Sequence, residues 1–447
     1  MARLTHGREL HKSLSEAALT MNETTPEQQW TQWRKQWDEA AWHLSYMDEN
    51  QPDKPVLQGG LVAVFYFVDA AQPEKRMALA QMLRRFHDRY AQHLAWGTFG
   101  PKVEQQPYNR EKVMECAEWI EQADLNHAVE FTWASGSGLD FVGEYQINAF
   151  SVAHWYENVH RSMSYLRLHF PIEELDEVRR GQLSQWMEAC TTTLEPMSGY
   201  FGLGFQRCYE YDKYEHLEFE HALDFIGLDV GNPRGRKELR HGIKSINWLT
   251  FLDDSMLSAL GGRSGLKERT AKINRCLQIQ AMRNNAPAEQ LALHFYNGGV
   301  MVQAGEWPQL GWIETDPYPL AYVAVNLLLR PARVPELGSL HMGSVVGEAR
   351  FDKHTSNVWL RRFDAASDEF ETALNTPVHE LPASASVSRQ APVPGGEPCP
   401  EAGWWFTFAL PGSRRYFEKG EVMPVIKGNS FGDTNWQRDS NQQDRKS

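Results

Sequence analysis

IKSINWLTFLDDSMLSALGG, residues 243–262, is the stretch whose reading decides the fold. Ile246, Trp248, Thr250 and Leu252 alternate with Asn247, Leu249 and Phe251, so both faces of the run are largely apolar. That is the pattern of a short strand buried on both sides, inside a sheet rather than at its edge. Asp253 and Asp254 then offer N-cap chemistry, because a short carboxylate accepts from the free amides of a first helical turn and suits the positive end of the helix dipole. Met256, Leu257 and Leu260 supply the apolar stripe of a short helix, and Gly261-Gly262 stops it at residues able to take a positive φ.

Working outward, residues 207–225 predict an acidic helix upstream and residues 266–276 another downstream. Apolar runs at 291–296 and 300–303 straddle Asn297-Gly298-Gly299, which is hairpin-turn chemistry. Residues 319–329 form an apolar helix ended by Pro331. Further upstream LVAVFYFV (61–68) is a strand, followed by a helix over 73–95 with Met77, Ala80, Leu83, Phe86 and Tyr90 on one stripe. The unit is echoed by MSYLRLHF (163–170), a helix carrying Leu183, Trp186 and Met187, and a closing Phe201-Gly202 that matches Phe99-Gly100. Between them HAVEFTWAS (127–135) and YQINAFSV (145–152) read as a hairpin. The expected fold is α+β: mixed or antiparallel sheets flanked by helices, with two similar β-α halves and a small β-rich C-terminal unit. The expected organisation is a helical segment at 1–50, a core at 51–377, a Pro/Ser-rich linker at 378–398 and the small unit at 399–447, its polar end frayed from Trp436. In the first segment Trp30, Trp33, Trp37 and Ala41 share one helix face, too aromatic to leave in water and expected to pack on the sheet.

The totals exclude several function classes. The net charge of −13, from 45 basic and 58 acidic residues, repels nucleic acid and draws in a basic partner. No apolar run is long enough to cross a bilayer, and residues 1–25 lack the apolar centre of a secretory signal, so the cytoplasm is the expected compartment, without a membrane partner. Cys116, Cys190, Cys208, Cys276 and Cys399 stand singly and read as free buried thiols. His216, Glu220 and His221 fit neither H-x-x-E-H nor H-E-x-x-H and read as a solvated helix face. Asp229, Glu238 and Lys244 match a metal-dependent nuclease only loosely and against the net charge. The Gly-rich runs lack the lysine-serine end of a phosphate loop. No catalytic residue, metal ligand or cofactor is therefore expected.

The strand, carboxylate pair and short helix of 243–262, with GYFGLGF (199–205) and FIGLDVGNP (225–233) before them and NGGVMVQAGEWPQLGW (297–312) and PYPLAYVAVNLLLRPAR (317–333) after them, resemble the bacterial type VI secretion immunity family over about residues 140–345. Two positions depart from that pattern, Ile226 in place of a proline and Trp312 in place of a small or acidic residue, so partner specificity does not transfer with the resemblance. The tail, with Gly403-Trp404-Trp405 and Arg414-Arg415-x-Phe417, resembles a segment found in proteins encoded near type VI toxins. The resemblance implies binding and occlusion of a cognate toxin in the producing cell, a basic and nuclease-like one, with no catalysis by this chain. Candidate contacts are Glu210, Asp212, Glu215 and Glu218, in a run with Glu220 and Asp224 that can imitate a phosphate backbone. Asp253 and Asp254, beyond their capping role, and the loop residues Glu306 and Trp307 complete the set. The competing readings are an enzyme with an unrecognised carboxylate-based hydrolytic site and an adaptor or scaffold of the secretion system.

Overall fold

The computed structural model describes residues 26–48, 50–100, 104–284, 286–314, 318–342, 349–375, 392–407, 410, 413–427 and 434–438. Helix α1 (Pro26–Ala41) passes through a 3-10 turn into β1 (Ser45–Asp48) and the long β2 (Gln51–Phe67). The expected helix to residue 50 thus stops at Ala41, because Ser45 and the residues after it pair with β2, Ser45 opposite Gln58. Next come α2 (Pro73–Tyr90), β3 (Trp96–Phe99), β4 (Gln106–Pro107), α3 (Arg110–Gln122), β5 (Val129–Ala134), β6 (Gln146–Ser151) and α4 (His154–His160). Then follow β7 (Ser164–Phe170), α5 (Arg180–Leu194), β8 (Ser198–Arg207), α6 (Glu215–His221), β9 (Leu249–Asp253) and α7 (Gly262–Asn284). The hairpin β10 (Leu291–Tyr296) and β11 (Gly299–Ala304) precedes α8 (Leu320–Leu329), α9 (Lys353–Leu360) and α10 (Asp364–Asn375).

Eleven of these strands form one sheet, in the order β10-β11-β9-β8-β2-β7-β6-β5-β3-β4 with β1 added on β2. Every strand pairing is antiparallel, so of the two sheet types expected the antiparallel one is present. β9 sits between β8 and β11, and its Leu249, Thr250, Phe251 and Leu252 are all buried. It starts later than Ile246 because Asn247 is taken into a turn: its N–H donates to Thr250 Oγ1 at 3.1 Å and its side-chain amide to Leu203 C=O at 3.1 Å. The short helix after it is a 3-10 turn (Met256–Leu260) closed by Gly261 at φ 78°, and α7 begins at once, well before residue 266. The expected acidic helix over 207–225 shrinks to α6, since β8 runs on to Arg207.

Register assigns the faces. Leu61, Ala63 and Phe65 of β2 lie beside Phe170, Leu168 and Leu166 of β7 and Leu203, Phe201 and Gly199 of β8. The helices α2 and α5 pack on this side, Phe86 6.0 Å from the Phe170 ring and 5.9 Å from that of Trp186. The two β-then-α units interleave: β2, which feeds α2, lies between β7 and β8, the strands that α5 connects. Trp133 lies flat across its cross-strand partner Gly97, where a Cβ would come within 2.3 Å of the indole, so only glycine fits there. The opposite face carries Tyr66 and Tyr200 and is covered by residues 208–248 and by α9, Lys244 Nζ standing 5.1 Å from the Tyr200 ring and 5.2 Å from that of Trp359. On α1, Trp33 and Trp37 are buried as the shared stripe requires, Trp37 closing on Gly59 of β2.

A second, four-stranded antiparallel sheet of β12 (Val393–Pro394), β13 (Gly403–Thr407), β14 (Arg415–Phe417) and β15 (Asn435–Arg438), in the order β12-β15-β13-β14, ends the described chain. It has its own cluster of Val393, Cys399, Trp405, Phe417, Met423 and Trp436. Val393, inside the stretch expected as linker, pairs with Trp436, and Trp436 is buried where fraying was expected. Residues 378–391 of that stretch and 439–447 lie outside the described residues. All five cysteines are free and buried.

Candidate interaction surface

The carboxylates of residues 210–224 divide into two groups. Glu215, Glu218, Phe219 and Ala222 are spaced i, i+3, i+4 and i+7, which is one helix face, and in α6 that face points inward. Glu218, with no exposure, accepts from Gly231 N–H at 3.0 Å and lies 2.6 Å from His341 Nε2. Glu215 accepts from Met342 N–H at 2.7 Å. Beside them Lys244 donates to Asp229 at 2.8 Å and to the Val230 carbonyl. Burial pushes Lys244 down to about 8, with Asp229 opposing the shift. Charges removed from water persist only when paired in this way. The titratable groups that an enzyme would need do converge here, but they hold connecting segments onto the sheet, and Glu238 is drawn off to Gly338 N–H at 2.9 Å. Glu215 and Glu218 are thus withdrawn from the surface, whereas Glu210, Asp212 and Glu220 are exposed and Asp224 is half-exposed.

The remaining candidates are placed separately. Asp253 Oδ1 accepts from Met256 N–H at 3.0 Å and from Ser255 Oγ at 2.6 Å, the capping role expected of it. Asp254 does not cap; it takes both ends of the Arg263 guanidinium at 2.8 Å, and Arg263 also reaches Tyr296 C=O. Glu306 is exposed and pairs with Arg180, whose guanidinium lies 4.3 Å over the Trp307 ring. Trp307 itself is half-buried, packed between Trp30 and Trp33 at 5.9 Å from each, and so belongs largely to the docking of α1.

Around Glu220 and Asp224 the fold assembles a surface that the sequence reading missed. Trp42, 72% exposed, lies against His43; the His43 ring is 5.0 Å from Trp312, and Trp312 stacks on Phe225 at 5.5 Å. Tyr46 donates to His43 C=O at 3.0 Å and faces His221 at 4.9 Å. Burial and then Glu220 and Asp224 hold the Tyr46 hydroxyl well above its usual range. Burial and His43 push His221 down to about 4, although Glu220 and Asp224 stand 3.9 and 4.0 Å from its ring. The one available signal was that Trp42 falls off the Trp30, Trp33, Trp37 stripe, so it has no inward place on α1.

Comparison with known proteins fits this architecture. A Pseudomonas aeruginosa T6SS protein, PA0821, shares the fold with a TM-score of 0.64 at 23% identity, over 76% of this chain and 95% of that one. No curated protein matches. Among the described residues no helix is long and apolar enough to cross a membrane. The family model described as type VI immunity for VRR-NUC matches residues 78–363. That span is well over half of the 447 residues, and the chain belongs to this family, TsiV, the immunity proteins that neutralise VRR-NUC nuclease effectors of type VI secretion.

Proposed function

We propose that the protein neutralises its VRR-NUC effector stoichiometrically, in the cytoplasm of the producing cell, by covering the face with which the nuclease would engage DNA. The reading is supported above all by charge. A nuclease must present an electropositive face to a phosphodiester backbone, and this chain carries a net −13 with Glu210, Asp212, Glu220, Asp254 and Glu306 exposed. Glu215 and Glu218 serve by holding α6 in place, and Asp253 and Trp307 by fixing the neighbouring turn and loop. The contact belongs to the core at 51–377, with its two similar β-α halves, together with the N-terminal segment packed on it, and the unit at 399–447 is an accessory to it. Purified protein mixed with purified effector should abolish DNA cleavage at a one-to-one ratio. Association should slow steeply with salt while dissociation changes little, because steering between exposed charges is screened beyond about 8–10 Å at physiological ionic strength. Association rates indifferent to salt, or DNA still cut at excess inhibitor, would defeat this reading.

A further inference from the structure

Among the described residues two tryptophans, Trp42 and Trp155, are more than half exposed, and only one of them suits a DNA-binding partner. On α4, Trp155 and Val159 are 51% and 67% exposed, but their neighbours are His154, His160 and Arg161, while the helix's one carboxylate, Glu157, is turned inward onto Arg240 and the Asp69 amide. That patch is neutral to cationic. At Trp42 the indole is more exposed still, and Glu220 and Asp224 lie around the cluster it joins through His43 and Tyr46. An aromatic anchor inside an anionic rim has the make-up of an interface hot spot for a basic surface.

We infer that the VRR-NUC effector is anchored at Trp42, an arginine or lysine of its DNA-binding face lying over the indole with Glu220 and Asp224 pairing the neighbouring cations. This rests on the occlusion proposed above and adds where it happens. A cation over a tryptophan face, with carboxylates nearby, gains both quadrupole and charge attraction. His221 stays neutral near pH 7 and does not offset the rim. Trp42, His43 and Tyr46 lie outside the matched residues 78–363, whereas Glu220, Asp224 and Trp312 lie within them.

The test uses full-length protein and the purified nuclease domain of the effector, with Kd from titration and protection from DNA cleavage. Trp42→Ala should weaken binding by about 30-fold or more, as truncating a hot-spot residue does. Its melting temperature should not change, because the side chain is already in water. Glu220→Lys with Asp224→Lys should slow association, and Trp155→Ala should stay within about threefold of the parent. Trp42→Ala within threefold of the parent, or loss on Trp155→Ala instead, overturns the anchor while leaving occlusion standing. Failure of the parent protein itself to bind or protect overturns both.

Discussion

A single residue shows how burial sets charge in this protein. His221 packs against Tyr46 with about a fifth of its side chain exposed, and its folded pKa near 4 lies below the unfolded value of 6.5. Between those values the unfolded chain binds the proton and the folded chain does not. Stability therefore falls as pH drops from 6.5 towards 4, by on the order of 3 kcal/mol in full. His169, fully buried, shifts the same way. We expect the melting temperature to drop across this window, and His221→Gln, which removes the titrating group, to drop less. Equal losses in the two proteins would show that His221 does not sense the acid.

At the scale of the element, the two adjacent aspartates after β9 do different work. Asp253 satisfies the first amide of the 3-10 turn and Asp254 makes an exposed ion pair, half of each side chain or nearly so in water. Asp253→Ala should cost about 1 kcal/mol, the usual price of a lost cap, and Asp254→Ala about 0.5 kcal/mol or less, as exposed pairs do. Urea midpoints at unchanged slope would measure both, and the reverse order would mean that the Arg263 clamp, rather than the cap, secures the junction of β9 and α7.

For the whole molecule the question is whether the small C-terminal sheet is part of the main core. Its Trp405 and Trp436, with 0% and 2% exposure, are buried in its own cluster rather than in that of the large sheet. A chain ending at Asn375 should accordingly keep one cooperative unfolding transition, since it retains all eleven strands of the large sheet and the helices on both its faces. An insoluble or non-cooperatively melting truncation would make the tail integral to the fold. If the truncated chain also still blocks DNA cleavage, the tail is an accessory to neutralisation rather than its seat.

What the sequence determined by itself was local. Asn297-Gly298, with Gly298 at φ 86°, fixes the β10–β11 hairpin without reference to anything distant. The prolines at 319 and 331 bracket α8, and Gly261 ends the turn after β9. Periodicity and turn chemistry act over a few residues, so they can be read directly. What only the tertiary structure decided was the direction in which a polar side chain faces. Glu218 and Glu220 are two positions apart on one short helix, yet the first is buried against His341, 123 residues away, and the second is exposed at the surface. Trp42 and Tyr46 likewise gain their meaning from Trp312 and His221 across the fold. Composition cannot separate a carboxylate that pairs in the interior from one exposed at the surface, because the energy of a charge depends on whether water or a counter-charge surrounds it, and that is settled only when the chain is folded.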